Sequence, residues 1–363
     1  MVSCTARSAP RDAWRVAMVV PLRGPAGLFA PSCEAVTQLA VEEINGSGGI
    51  LGREVVSEIV DGGQHPRVVA EQVRGRVAAG AIDAVSGWHI SSVREALVPA
   101  LDGRVPYAYP SLYEGGETRA GVFCSGETPD LQIAPALRWL RDELGVRRWY
   151  VVGDDYVWPR TSARAVHAFA RELDLDIAGQ SFVQLGAGRA AELVAQVQHV
   201  DCDGVLMLLV GQDAVEFNRE FARRGLTERL VRFSPLMEEN MLLASGAEAT
   251  GQLFVASSYF RSMTTAGAMD LLGNYVHAHG AGAPALSSAA ESCYEGLHTL
   301  ATLATRAASD RLEAWDAAVD GTAYEGPRGT VEFRGRQAHQ RVHLAVADGL
   351  DFDVLTALPR VTP

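Results

Sequence analysis

"RRWYVVGDD", Arg147 to Asp155, is the stretch on which the fold turns. Trp149, Tyr150, Val151 and Val152 have strong strand preference, and the run stops at Gly153 and two aspartates, as a strand does when it delivers the chain into a loop. The same punctuation occurs far upstream. There "WRVAMVVPL" (Trp14 to Leu22) leads into "CEAVTQLAVEEIN", whose Val36, Leu39, Ala40 and Ile44 recur at helical spacing. "REVVSEIVD" then precedes "PRVVAEQVRGRVAAG", and "AIDAVSG" precedes "SSVREALVPALD". After Arg147 the alternation begins again, with "RTSARAVHAFAREL", "IAGQSFVQL", "RAAELVAQVQHV", "DGVLMLLVG" and "DAVEFNREFARRG". Strand and helix alternate through both blocks, so each predicts its own parallel sheet covered by helices. The fold class is α/β, with two doubly wound parallel-sheet lobes, and 363 residues suffice for two cores.

The remainder continues neither block. "GQLFVASSYF" reads as a strand, "SSAAESCYEGLHTLATLATRAA" as a long helix, and "GPRGTVEFRGRQAHQRVHLAVADG" as two strands joined by a polar turn. This tail is expected to return to both lobes. The predicted division is a flexible segment at 1–13, a first lobe of 14–125 plus 258–328, and a second lobe of 126–257 plus 329–363. "NGSGGILG" (Asn45 to Gly52) has glycine spacing like that of a phosphate loop, but it follows a helix and precedes a strand. A phosphate cradle needs the opposite order, so a helix C-terminus and turn are predicted there.

The formal charge of −12 and the absence of a basic block argue against direct nucleic-acid binding. No run of about eighteen apolar residues is present to span a membrane. "MVSCTARSAPRDA" lacks the apolar centre of a secretory leader, so Cys4 is a poor lipid anchor and a cytoplasmic location is expected. The five cysteines are scattered without C-x-x-C spacing, which suits buried thiols better than a disulfide framework or a zinc site. "HAH" at His277 to His279 and "HQRVH" at His339 to His343 are read as surface histidines, and no metal or cofactor is expected. No nucleophile and base pair can be assembled, so the chain is read as a binding protein rather than an enzyme.

In open α/β sheets ligands collect at the carboxyl ends of strands. Three such ends carry aromatic and hydroxyl groups: Trp88, His89, Ser91 and Ser92 after one strand, Tyr109, Ser111 and Tyr113 in "YPSLYEGGE", and Tyr156 and Trp158 after "RRWYVV". A serine at the start of a helix is also what capping alone would select. Glu238 is the one acidic second-lobe group named as a partner for a ligand ammonium.

"SGWHISSVREALVP", "YPSLYEGGE" and "VVGDDYVWPRTS" resemble the three ligand loops of the type I periplasmic-binding-protein family, and most closely its amide-sensing branch, which regulates aliphatic amidase operons. The resemblance implies lobes joined by three crossovers with a small neutral amide or urea-like molecule closed between them. Ser91 would then meet the ligand's polar group, Tyr109 and Ser111 would line the first lobe, and Tyr156 and Trp158 would close from the second. His89, Ser111 and Trp158 replace a tyrosine, a threonine and a tyrosine of that branch, which implies an altered amide, urea or nitrile-related inducer. The resemblance also implies a regulatory partner such as an antiterminator, with a homo-oligomer as a further expectation. The alternative on the same fold is the substrate-binding component of an ABC transporter for urea, short amides or branched-chain amino acids.

Overall fold

Trp14–Val20 forms β1, buried at every position except Arg15, as expected of a strand covered by helices on both faces. In the computed structural model, which describes residues 13–359, β1 is followed by a 3₁₀ turn at Pro25–Phe29, α1 (Ala30–Gly46), β2 (Val55–Asp61), α2 (Pro66–Ala78), β3 (Ala84–Ser86), α3 (Ser91–Leu101), β4 (Tyr107–Tyr109) and β5 (Val122–Cys124). The second block contains α4 (Pro129–Leu144), β6 (Arg148–Asp154), α5 (Val157–Glu172), β7 (Asp176–Val183), α6 (Ala190–Gln198), β8 (Gly204–Leu208), α7 (Gln212–Arg223), β9 (Val231–Ser234), α8 (Glu239–Ser245) and β10 (Leu253–Ser257). The tail supplies α9 (Ala266–His279), α10 (Ser288–Ala307), α11 (Leu312–Ala318), β11 (Ala323–Gly326), β12 (Gly329–Arg334), β13 (Gln337–His339), β14 (His343–Asp348) and β15 (Asp351–Ala357).

Two sheets result, in the orders β11-β12-β13-β5-β4-β3-β1-β2 and β15-β14-β10-β9-β8-β6-β7. Pairing is parallel from β5 to β2 and from β10 to β7, so both predicted blocks are doubly wound. Chain order reverses between β1 and β3 in one sheet and between β6 and β8 in the other. Those are the points at which such sheets open a crevice at their carboxyl ends.

The expected tail boundary shifts. One hairpin was predicted; the tail instead forms an antiparallel run β11–β12–β13 and a separate hairpin of β14 with β15. The first extends the first lobe's sheet by pairing β13 with β5, and the second extends the other sheet by pairing β14 with β10. Residues 329–339, expected in the second lobe, therefore belong to the first lobe's sheet. A hairpin signal carries no information about which free sheet edge it will join. The flexible segment expected at 1–13 lies outside the described residues apart from Ala13, which is buried.

The chain passes between lobes at 125–128, 258–265 and 340–342. Glu127 of the first passage accepts hydrogen bonds from the Ser258 N–H (2.8 Å) and hydroxyl (2.5 Å) of the second. In the "NGSGGILG" turn the α1 end is followed by Gly49 at φ 74°, where a Cβ would stand 2.0 Å from the Arg53 carbonyl oxygen. Close backbone approach explains that glycine, in keeping with the turn predicted there.

Candidate ligand-binding site

The loop after β3 starts at Gly87, whose φ of 113° and near-contact with the Val19 backbone admit no side chain. That tight turn drives Trp88 and His89 down beside the end of β1. Trp88 packs edge-on against Phe29 with ring centroids 4.7 Å apart. His89 is fully buried: its Nδ1 lies 3.0 Å from the Val19 carbonyl oxygen and its Nε2 2.5 Å from the Tyr107 hydroxyl. A carbonyl can only accept, so Nδ1 carries the proton and Nε2 accepts from the phenol. Burial pulls the ring's pKa down to about 3, and the imidazole is neutral at any ordinary pH.

Both ring nitrogens of His89 are thus occupied, which corrects the expectation that its side chain meets the ligand. Its role is to hold the loop. The His89 N–H donates to Ser111 Oγ (3.1 Å), and its carbonyl accepts from the Tyr109 hydroxyl (2.9 Å). Ser111 and Tyr109 are therefore brought together by His89, with their polar atoms partly spent on it. Tyr113 donates to Gln337 Oε1 (2.6 Å) and fastens the β12–β13 hairpin to the same lip.

Ser91 differs. The residue that caps α3 is Ile90, and Ser91 is the first helical residue with no capping bond to make. Ser91 is 1% exposed, and its hydroxyl is directed at the Tyr109 phenol with no other partner. Capping therefore does not account for this serine, and the hydroxyl keeps hydrogen-bonding capacity to spare at the helix N-terminus.

From the second lobe, β6 ends at Asp154, whose Oδ2 accepts from the Val210 N–H (2.7 Å) just beyond β8, so this carboxyl spans the second switch point. Its carboxyl also meets that of Asp213 in a side-chain hydrogen bond. Burial, reinforced by Asp213, pushes Asp154 well above the usual carboxylate range. Tyr156 caps the following helix and is half-buried, with its phenol close enough to Asp154 and to Tyr109 and Glu114 of the opposite lobe to feel their charges after the larger effect of burial. Trp158 stands 6.3 Å from it, ring to ring, and is 2% exposed. Tyr156 and Trp158 thus sit at the seam, and Trp158 also belongs to the apolar core.

Glu238 is not beside these groups in function. It caps α8 and its Oε2 accepts from the Ala289 N–H (3.1 Å) at the first turn of α10, a helix of the first lobe. Burial raises its pKa to about 8, so it ties the lobes together as a neutral carboxyl and offers no charge to a ligand ammonium at neutral pH. Asn240 donates to the Leu28 carbonyl (3.1 Å), a second bond across the same seam.

One pair of contacts lay outside the expected site. Arg94, one turn after Ser91, is buried and donates to Glu114 (2.5 Å) and to Glu117. Its guanidinium also lies over the rings of Tyr109 and Tyr113, 5.7 and 5.2 Å from their centroids. The signal was present in "SSVREAL" and "YEGGE", but no spacing rule joins residues so far apart in sequence. Of the two histidine pairs, His277 is exposed and His279 packs against Tyr275 with ring centroids 5.0 Å apart and planes tilted by 56°. Among the described residues no group of three metal-ligating side chains converges.

A sequence model described as "Periplasmic binding protein" matches residues 13–348. A Leu/Ile/Val-binding protein of Rhizobium johnstonii is 38% identical over 52 residues, and that alignment spans 14% of each chain. Solved structures show the same fold over nearly the whole length. A solute-binding protein of an ABC transporter from R. palustris, in complex with benzoate, superposes with a TM-score of 0.85 at 17% identity, covering 97% of this chain and 98% of the other. The branched-chain amino acid transporter substrate-binding protein LivJ of Streptococcus pneumoniae, in complex with isoleucine, gives 0.82 at 17% identity, covering 95% and 99%.

Proposed function

The chain belongs to the periplasmic binding protein family, and from that premise we propose that it is a solute-binding component of an ABC transporter whose cleft takes a small neutral amide or urea-like molecule. Transport, second in the sequence reading, now stands ahead of the regulator, because the named relatives are transporter binding proteins. An antiterminator partner has no support among them. The neutral ligand class rests on one observation: the buried Ser91 hydroxyl stands beside the Tyr109 phenol, and Arg94, the buried cation one turn further along α3, is already held by two carboxylates.

A neutral amide offers one acceptor oxygen and N–H donors. The Ser91 hydroxyl and the Tyr109 phenol beside it supply matching polarity without a countercharge. With about four heavy atoms, acetamide gains at most roughly −6 kcal/mol, a Kd of tens of micromolar. Calorimetry with acetamide, butyramide, urea, isoleucine and benzoate tests this. Heat from a neutral amide or urea, with none from the two carboxylates, is the expected result. Saturable binding of isoleucine or benzoate alone would overturn the neutral class while leaving the transport role standing.

A further inference from the structure

The 3₁₀ turn that follows β1 in the first lobe reaches across the seam, where Pro25 lies against two glycines of the second lobe. A Cβ on Gly186, in the loop after β7, would stand 3.1 Å from the Pro25 ring. One on Gly211, just before α7, would stand 2.1 Å from the Pro25 carbonyl oxygen and 2.8 Å from the Leu28 side chain. Gly211 therefore has no room for a side chain, and Gly186 has little. Asn240 completes the grip through its bond to the Leu28 carbonyl.

The backbone at both glycines is held by two buried acids, Asp154 and Asp213. Asp213 Oδ2 accepts from the Gly186 N–H (2.6 Å), and Asp154 Oδ2 accepts from the N–H of Val210, the residue before Gly211 (2.7 Å). Each acid thus fixes one of the two backbone segments on which Pro25 rests, and the two carboxyls are hydrogen-bonded to each other. An ionised carboxylate can only accept, so that bond exists only while one of the pair carries a proton. Burial keeps both carboxyls above the usual carboxylate range, Asp154 well above it. Glu216 on α7 adds a like charge near Asp213, and the Tyr156 phenol at the start of α5 lies near Asp154. Among the described residues no cation acts on either carboxyl. The arginines of the adjoining segments are engaged elsewhere, Arg160 with Asp155, Arg189 with Glu192 and, on the first lobe, Arg23 with Asp61.

We propose that the Pro25–Phe29 turn is a catch for the closed lobes, and that the proton shared by Asp154 and Asp213 holds its seat on the second lobe in shape. Loss of that proton leaves two negative charges side by side with no cation between them, which pushes the Gly186 and Gly211 segments apart and unseats Pro25. The closed form is favoured at acid pH and is lost as pH rises through the range in which the pair gives up its proton. The device concerns closure and not the class of ligand, and it can be read without one.

The test is small-angle X-ray scattering of the whole protein, without ligand, from about pH 5 to about pH 9. The parent's radius of gyration should increase with pH. Asp213→Asn, whose amide donates to Asp154 and still accepts from the Gly186 N–H, should stay compact throughout. Glu238→Gln, which removes the titration of the other seam carboxyl, should keep the parent's response. Gly211→Ala, with its Cβ against the Pro25 carbonyl, should be expanded at every pH, and it tests the catch even if Asp213→Asn fails to fold. A parent radius that does not change with pH would overturn the proposal. So would a pH response that survives in Asp213→Asn or disappears in Glu238→Gln, or a Gly211→Ala protein as compact as the parent at the acid end.

Discussion

The two walls of the cleft are built on opposite plans. On the first lobe, His89, Tyr109, Ser111 and Arg94 spend their polar atoms on one another and on the β1 backbone, so the wall is set before any ligand arrives. On the second, Asp154 is engaged with the Val210 N–H and with Asp213, and two aromatic rings present area with few internal bonds. A prearranged platform facing a softer, apolar wall allows closure to expel water without rebuilding the side that orients the ligand. Ser91 is the least engaged polar group of the platform, with only the Tyr109 phenol beside its hydroxyl.

The largest effect should come from breaking the platform's ion cluster. Arg94→Met leaves Glu114 and Glu117 buried without their cation, and about 3–5 kcal/mol of stability should be lost. Urea denaturation reads it. A midpoint within error of the parent would show that the platform is not held by this cluster.

A smaller effect, of the opposite kind, belongs to the second lobe. Glu238 has a folded-state pKa of about 8 against 4.5 for the free group, so its stabilising contribution is present below about pH 4.5 and is lost as pH rises through about 8. Glu239, Glu127 and Cys33 lie near and add charge effects of their own, so the variant is compared with the parent at each pH. Glu238→Gln should flatten the fall in stability between pH 5 and pH 8. An unchanged slope would mean that this seam contact is not the titrating one.

Ser91→Ala should produce the smallest change and the most selective. Because the hydroxyl does not cap α3 and has only the Tyr109 phenol beside it, melting temperature should change little while ligand affinity falls by about 1–2 kcal/mol. Lost stability with intact affinity would move Ser91 from the ligand to the core.

The restart at "RRWYVVGDD" and the repeated strand-to-helix alternation were sufficient to predict two doubly wound lobes, because hydrophobic period is a local property of the chain. That Ser91, Tyr109, Tyr156 and Trp158 stand at or just beyond strand ends was legible for a related reason, since strand ends can be found from sequence. His89 and Glu238 had suitable chemistry in suitable loops, yet their partners proved to be Val19, Tyr107 and Ala289, all distant in the chain. The destination of each tail hairpin and the pairing of Arg94 with two carboxylates share that origin. Sequence determined which segments become strands and helices and which polar groups stand at their ends. Only tertiary structure decided which of those groups are already satisfied, since a hydrogen bond or buried ion pair depends on neighbours that the chain brings together from remote positions.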